Sequence, residues 1–237
     1  MKKELMYREH AKFYDLIYSW KDYKKESEKI KRLIKKHKKT KGKELLEVAC
    51  GTGNYLRHLE KDFNCTGIDL NKGVLKIAKD KLPNSVKLSK ENMINFKFNK
   101  KFDIILCLFS SIGYVKTKSN LKKTIENFSR HLKEGGVLII EPWISRRAYK
   151  IGSPHMDTYS NDKIKISRMH VSKKKGNLSV IDFHFTIAEK NKGVQHFIDR
   201  HEIGMFEHKE ILSIMKYLGI KTKFLKTGRG LFIGIKK

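Results

Sequence analysis

Residues 45–54, Leu-Leu-Glu-Val-Ala-Cys-Gly-Thr-Gly-Asn, constrain the fold of this chain more than any other stretch. An apolar strand runs into a tight turn holding Gly51 and Gly53, and an amphipathic helix follows. Sixteen residues after Gly53 a second apolar stretch, 65–68, ends in an acid, Asp69. Strand, glycine turn, helix and a second strand tipped by a carboxylate form the layout of a nucleoside-binding βαβ unit. The glycines let backbone approach a ligand, and the acid can accept from both ribose hydroxyls.

The variant of the pattern selects the ligand. A dinucleotide site reads G-x-G-x-x-G, with a pyrophosphate at the helix N-terminus. Here Leu56 occupies the third glycine position, and Glu47 puts a carboxylate beside the turn. That charge repels a pyrophosphate and suits a cationic ligand with a free amino group. The Glu-x-Ala-Cys-Gly-x-Gly string resembles motif I of the class I S-adenosylmethionine-dependent methyltransferases. The bland alternative is a βαβ turn with chance glycines.

The alternation continues downstream. Strands are predicted at 44–49, 65–69, 86–88, 102–108 and 137–141, with helices at 54–63, 72–81 and 120–132 between them. Upstream, Ile30, Leu33, Ile34 and His37 recur at helical spacing within 22–39. After Pro142 the pattern changes: 163–171, 178–188 and 195–205 alternate with period two, an antiparallel three-stranded insertion. A helix at 207–218 and strands at 220–226 and 231–236 close the chain. The expected fold is therefore α/β: a doubly wound, Rossmann-like seven-stranded sheet with an antiparallel terminal hairpin, plus a three-stranded antiparallel β insertion. Three parts follow: an aromatic lid and helix at 1–43, a cofactor domain at 44–143 and 207–237, and an acceptor-side lobe at 144–206.

Composition adds limits. No apolar run approaches the roughly 20 residues of a membrane helix. The start, Met-Lys-Lys-Glu-Leu, has no signal-peptide apolar region. Cys50, Cys65 and Cys107 lie on or beside apolar strands, which reads as free thiols in a reducing cytoplasm. No Cys or His pair has zinc-site spacing, so no metal is expected. The formal charge of +28 attracts polyanions. Yet the chain has 44 Lys and 9 Arg, scattered over helix faces, whereas base and phosphate readers lean on Arg. The charge is read as composition with a preference for an anionic small-molecule acceptor, ahead of nucleic acid.

Peripheral motifs narrow the resemblance. Phe109-Ser110-Ser111-Ile112-Gly113-Tyr114, Glu141-Pro142-Trp143, His184-Phe185-Thr186-Ile187-Ala188, Lys192-Gly193-Val194-Gln195-His196-Phe197 and Gly228-Arg229-Gly230-Leu231-Phe232 occur in this order, after Tyr14-Asp15-Leu16-Ile17-Tyr18 and Lys21-Asp22-Tyr23. The series resembles the amino-sugar N,N-dimethyltransferases that finish desosamine and mycaminose as dTDP-linked sugars. The resemblance covers nearly the whole chain. It implies methyl transfer from S-adenosylmethionine to a hexose amine, S-adenosylhomocysteine as product, and a homodimer.

On this reading Glu47 and the backbone of Ala49, Cys50, Gly51 and Gly53 hold the methionine moiety. Asp69 takes the ribose hydroxyls, with Leu70 against the adenine. Asn92 offers its side-chain oxygen to the adenine amine and the Met93 backbone meets a ring nitrogen; alternatively Asn92 is a turn cap. Leu108 faces the methionine end. Tyr14 and Tyr23 belong to an aromatic segment that is either a lid over the ligand or a core plug. Tyr14 and Tyr114 are candidates to hydrogen-bond the amine, Tyr114 being otherwise a core aromatic. Arg229 is a candidate phosphate contact, otherwise a hairpin charge. Trp143, with Ile144-Ser145-Arg146-Arg147 where the family often has an aromatic and proline-rich run, borders the acceptor pocket. His184 is placed in the acceptor cleft, and His196 and His201 are weaker candidates. Rival classes are an RNA or protein methyltransferase and a non-catalytic cofactor-binding module. Against the RNA reading, the fourth strand ends in Phe-Ser-Ser-Ile-Gly, without the Asn/Asp-Pro-Pro-aromatic tip used on flipped bases.

Overall fold

The computed structural model describes residues 4–237. Residues 1–3, part of the reading against a signal peptide, lie outside that range. The main sheet contains β1 (Glu44–Val48), β2 (Asn64–Asp69), β3 (Lys87–Lys90), β4 (Phe102–Cys107) and β5 (Leu132–Ile140), all parallel, with the hairpin β11 (Ile220–Leu225) and β12 (Leu231–Lys236). Its order is β11-β12-β5-β4-β1-β2-β3, and β12 lies antiparallel to both neighbours. The strand order reverses between β1 and β4, the switch point where doubly wound sheets bind ligands.

Strand periodicity assigns the two faces. Leu45, Ile104 and Leu106 pack under Ile30 and Ile34 of α2 (Tyr23–His37), Leu56 and Leu59 of α3 (Leu56–Leu59) and Ala78 of α4 (Lys72–Lys81). Leu46, Val48, Ile105 and Cys107 meet Leu121, Ile125 and Phe128 of α5 (Lys118–His131) and Ile211 and Met215 of α6 (His208–Tyr217). β4 is therefore buried at every position, the reason its sequence is nearly all apolar. Asp22 and Thr117 cap α2 and α5, and Glu207 with Glu210 forms a capping box on α6. Among the described residues no helix is long and apolar enough to cross a membrane.

The second sheet is antiparallel: β6 (Pro154–Ser160), β7 (Ile164–Val171), β8 (Lys173–Lys175), β9 (Leu178–Glu189) and β10 (Gly193–Gly204), ordered β10-β9-β7-β6 with β8 on β9. It has five strands, two more than the alternation reveals. β6 is an edge strand with no buried residue, and β8 is three exposed lysines, so neither carries an apolar period. The helix predicted at 54–63 is a single turn, α3. Strand β5 begins at Leu132, ahead of the 137 expected for it, and takes in Gly135, whose φ of +72° marks an irregularity inside the strand. The inner face of the second sheet, Ile166, Phe185 and Ile187, packs on Phe13, Tyr14 and Ile17 of the N-terminal segment, where α1 spans Tyr14–Ile17.

Candidate active site

The tips of β1, β2 and β4 open into a cavity of about 410 Å³ lined by Ala49, Gly51, Asp69, Leu70, Asn92, Met93 and Phe109. A recess of about 40 Å³ continues inward between Tyr14, Tyr23, Glu47, Cys50, Gly51 and Leu108. Three non-glycine residues at these tips are left-handed: Ala49 (φ 56°), Phe109 (φ 50°) and Ser110 (φ 63°). Such strain persists where surrounding structure over-determines it, as at a binding site. The Phe109 amide is held at 2.8 Å by Glu141 at the end of β5.

Two carboxylates at the β1 and β2 tips, Asp69 in the cavity and Glu47 in its recess, have different partners. Asp69 accepts from the amides of Gly51 (3.0 Å) and Asn71 (2.9 Å), so its oxygens are aimed across the turn. Burial raises its pKa, against the pull of those amides. Glu47 is 2% exposed, and its Oε2 has no hydrogen-bond partner. Burial, then the charge of Asp69, pushes its carboxyl well above the usual range. A buried acceptor without a donor is costly, and a ligand cation relieves it. Asn92 accepts the Ile94 amide at 3.0 Å, making the turn cap foreseen for it, and it still lines the cavity. A carbonyl oxygen has a second lone pair for a ligand.

The N-terminal segment closes over the turn through Asp15. Its carboxylate accepts from Thr52 (2.6 Å), Asn54 (2.9 Å) and Lys81 (2.6 Å). Tyr14 lies beneath, tilted against Tyr18 with centroids 4.7 Å apart.

A second cavity, of about 290 Å³, lies between these strand tips and the inner face of the second sheet. Tyr7, Phe109 and Tyr114 line both cavities and form the wall between them. At one end Arg229 stacks on the Trp143 ring at 4.7 Å and donates to Ser110 at 3.1 Å. The indole Nε1 of Trp143 is buried without a partner. Farther along, buried Arg168 bonds Asp157 and donates to Tyr18 at 2.8 Å. Next to it His170 stacks on His155 at 4.8 Å, its Nδ1 buried and unpartnered. Burial, then His155 and Arg168, lowers the His170 pKa to about 4.

The structure thus gathers Tyr14, Tyr23, Glu47, Ala49, Cys50, Gly51, Asp69, Leu70, Asn92, Met93 and Leu108 around one cavity, and Trp143 and Arg229 around the other. Gly53 shapes the turn without lining it. Tyr114 is in the shared wall. Three candidates are elsewhere. Arg146 is spent on the Met205 carbonyl (3.2 Å) and Glu210 (3.0 Å). His184 and His196 are exposed on the outer face of the second sheet, His196 against Thr186 at 3.1 Å. Strand parity explains this: Ile181, Phe183 and Phe185 claim the inner face of β9, turning His184 outward. Unforeseen members are Tyr7, Asp15 and Arg168. His201, one of the weaker candidates, lines the acceptor-side cavity. Asp199 and His201 are polar residues in the inward set of β10, the one trace of this in the sequence.

A methyltransferase-domain family model matches residues 45–136, the β1–β5 unit that carries both carboxylates. The fold and this site define an S-adenosylmethionine-dependent methyltransferase of the doubly wound class. The chain is 35% identical to the dTDP-3-amino-3,4,6-trideoxy-alpha-D-glucopyranose N,N-dimethyltransferase of Streptomyces venezuelae over 233 residues, 96% of this chain and 98% of that one. It belongs to that family of dTDP-amino-sugar N,N-dimethyltransferases. The crystal structure of Streptomyces venezuelae DesVI matches with a TM-score of 0.90 at 35% identity, covering 96% and 98% of the two chains. The S-adenosylmethionine-bound structure of CalS10, an amino pentose methyltransferase from Micromonospora echinaspora, matches with a TM-score of 0.83 at 25% identity, covering 92% of each.

Proposed function

We propose that this enzyme methylates the amine of a nucleotide-linked amino sugar. The observation that carries the reading is the meeting of two cavities at the Tyr7–Phe109–Tyr114 wall, one carrying Asp69 with Glu47 in its recess and the other a cation stacked on an indole. S-adenosylmethionine fits the first cavity. The unpartnered Glu47 oxygen suits its ammonium, the Asp69 oxygens its ribose hydroxyls, and half-exposed Leu70 with Met93 its adenine. When bound it supplies a methyl group on a sulfonium, open to attack by a neutral amine. The protein's part is chiefly to hold that amine in line and exclude water.

The second cavity fits a long, anionic acceptor. Arg229 and the Trp143 Nε1–H are donors for a diphosphate, and Arg168, His170 and His155 line the farther part for the rest of the nucleotide. In this reading 144–206 supplies the acceptor side, 1–43 the cover, and 44–143 with 207–237 the cofactor side. The working unit is a homodimer in the cytoplasm, where buried Cys50, Cys65 and Cys107 remain thiols.

The test is S-adenosylhomocysteine release with dTDP- and UDP-linked amino sugars, with bulk tRNA as a parallel acceptor. Turnover on a sugar amine is expected. Arg229→Ala should raise the acceptor KM about 10- to 100-fold, the loss of a charge-assisted contact, with cofactor affinity unchanged. Turnover on tRNA alone would overturn the reading and make the +28 charge the functional signal.

A further inference from the structure

Behind the wall between the two cavities runs a buried chain of polar groups. The Tyr7 and Tyr114 hydroxyls are 2.9 Å apart, and Tyr114 Oη is 2.6 Å from His201 Nδ1. His201 Nε2 is 3.0 Å from Asp199 Oδ2. Asp199 is 0% exposed and also accepts the Leu5 and Met6 amides at 2.8 and 3.0 Å. Against its burial, which raises it, His201 and then those amides hold its carboxyl below the usual range. An ionised Asp199 accepts from Nε2–H, which leaves the Nδ1 lone pair to accept from Tyr114 O–H. The Tyr114 oxygen then has lone pairs toward Tyr7 and the cavities.

We infer that His201, braced by Asp199, is the proton acceptor that frees the substrate amine, working through the Tyr114 hydroxyl. The inference rests on the amine-methylating reading above. An alkyl amine near neutral pH is largely an ammonium ion without a lone pair. As an ammonium N–H bonds the Tyr114 oxygen, that oxygen gains the proton and the phenolic proton passes to His201 Nδ1. One N–H bond breaks and one N–H bond forms. No electrons change hands, and the positive charge moves from the amine to an imidazolium beside the Asp199 carboxylate. The amine keeps the lone pair that methyl transfer consumes. The proton returns to water by the same hydroxyl when the cavity reopens. Neither tyrosine can ionise in its place, because burial holds both phenols well above their ordinary range. The groups facing this chain are Glu4 and Tyr7 from the N-terminal segment, Tyr14 and Tyr18 at α1, and Arg168 across the Phe183 ring. His201 is a positioning residue in this scheme, since Tyr114 is the group that touches the amine.

Two variants test it. His201→Gln removes the acceptor, and Tyr114→Phe breaks the chain while leaving the His201–Asp199 pair in place. For both, kcat/KM toward the amino sugar should fall roughly 100-fold near pH 7 and recover to within about threefold near pH 9.5, where solution supplies free amine. The second readout needs no turnover. With S-adenosylhomocysteine present, adding the amine should convert one 15N-labelled imidazole to imidazolium in the wild type. His201→Gln should lack that signal, and the hydroxyl analogue of the acceptor should not produce it. A loss equal at all pH values, an unchanged profile, or no imidazolium on amine binding would overturn the inference alone. A wild type inactive on every amine would overturn the functional reading with it.

Discussion

Glu47 and Asp69 are two acids at adjacent strand tips with opposite needs. Asp69 is aimed by two amides and keeps lone pairs for hydroxyl donors; Glu47 Oε2 is buried without a partner and calls for a cation. Asp69→Asn should therefore weaken S-adenosylhomocysteine binding about 10- to 100-fold, read by calorimetry, because amide oxygens hold ribose hydroxyls less strongly than a carboxylate. His170 makes a separate prediction about acid stability. Its folded pKa of about 4 is below the roughly 6.5 of an unfolded histidine, so the unfolded chain takes the proton first. The stability this group contributes is complete above about pH 6.5 and is lost as pH falls through about 4. Thermal unfolding followed across that window should show a slope that His170→Gln removes.

At the scale of elements, the β1 turn shows why glycines were the informative letters. Gly53 has φ +76°, and a Cβ there would come within 2.6 Å of Leu82 Cδ1 and 3.4 Å of Ala78. The turn is thereby clamped onto α4. Gly53→Val should cost about 2–4 kcal/mol, from left-handed strain and overpacking, and weaken cofactor binding with it. Denaturant unfolding and calorimetry read the two effects. Elements with one buried face were legible: α4 was predicted with its observed bounds, since Val74 and Ala78 are buried against polar neighbours. The edge strands β6 and β8 were not, because an exposed strand leaves no hydrophobic period.

For the whole molecule, the charge of +28 sets a long-range field without defining a site. Among the described residues only Arg229 and Arg168 bring guanidinium groups into the acceptor-side cavity, and no lysine lines it. The acceptor KM should therefore rise several-fold between about 0.05 M and about 0.5 M salt as the field is screened, while the pH dependence of turnover stays fixed by the buried groups. Steady-state kinetics over that range checks it.

Sequence by itself determined the βα order, the ligand class of the β1 turn and the family, because those depend on local periodicity and on residues adjacent in the chain. Tertiary structure decided which long-range candidates meet. His184 and His201 are both histidines on neighbouring strands, yet one faces solvent and the other reaches Tyr114. Tyr7 and Asp15 join the site only because the N-terminal segment packs on the second sheet and the β1 turn at once. Strand parity and the closing of distant segments over one cavity are properties of packing, and a linear pattern carries neither.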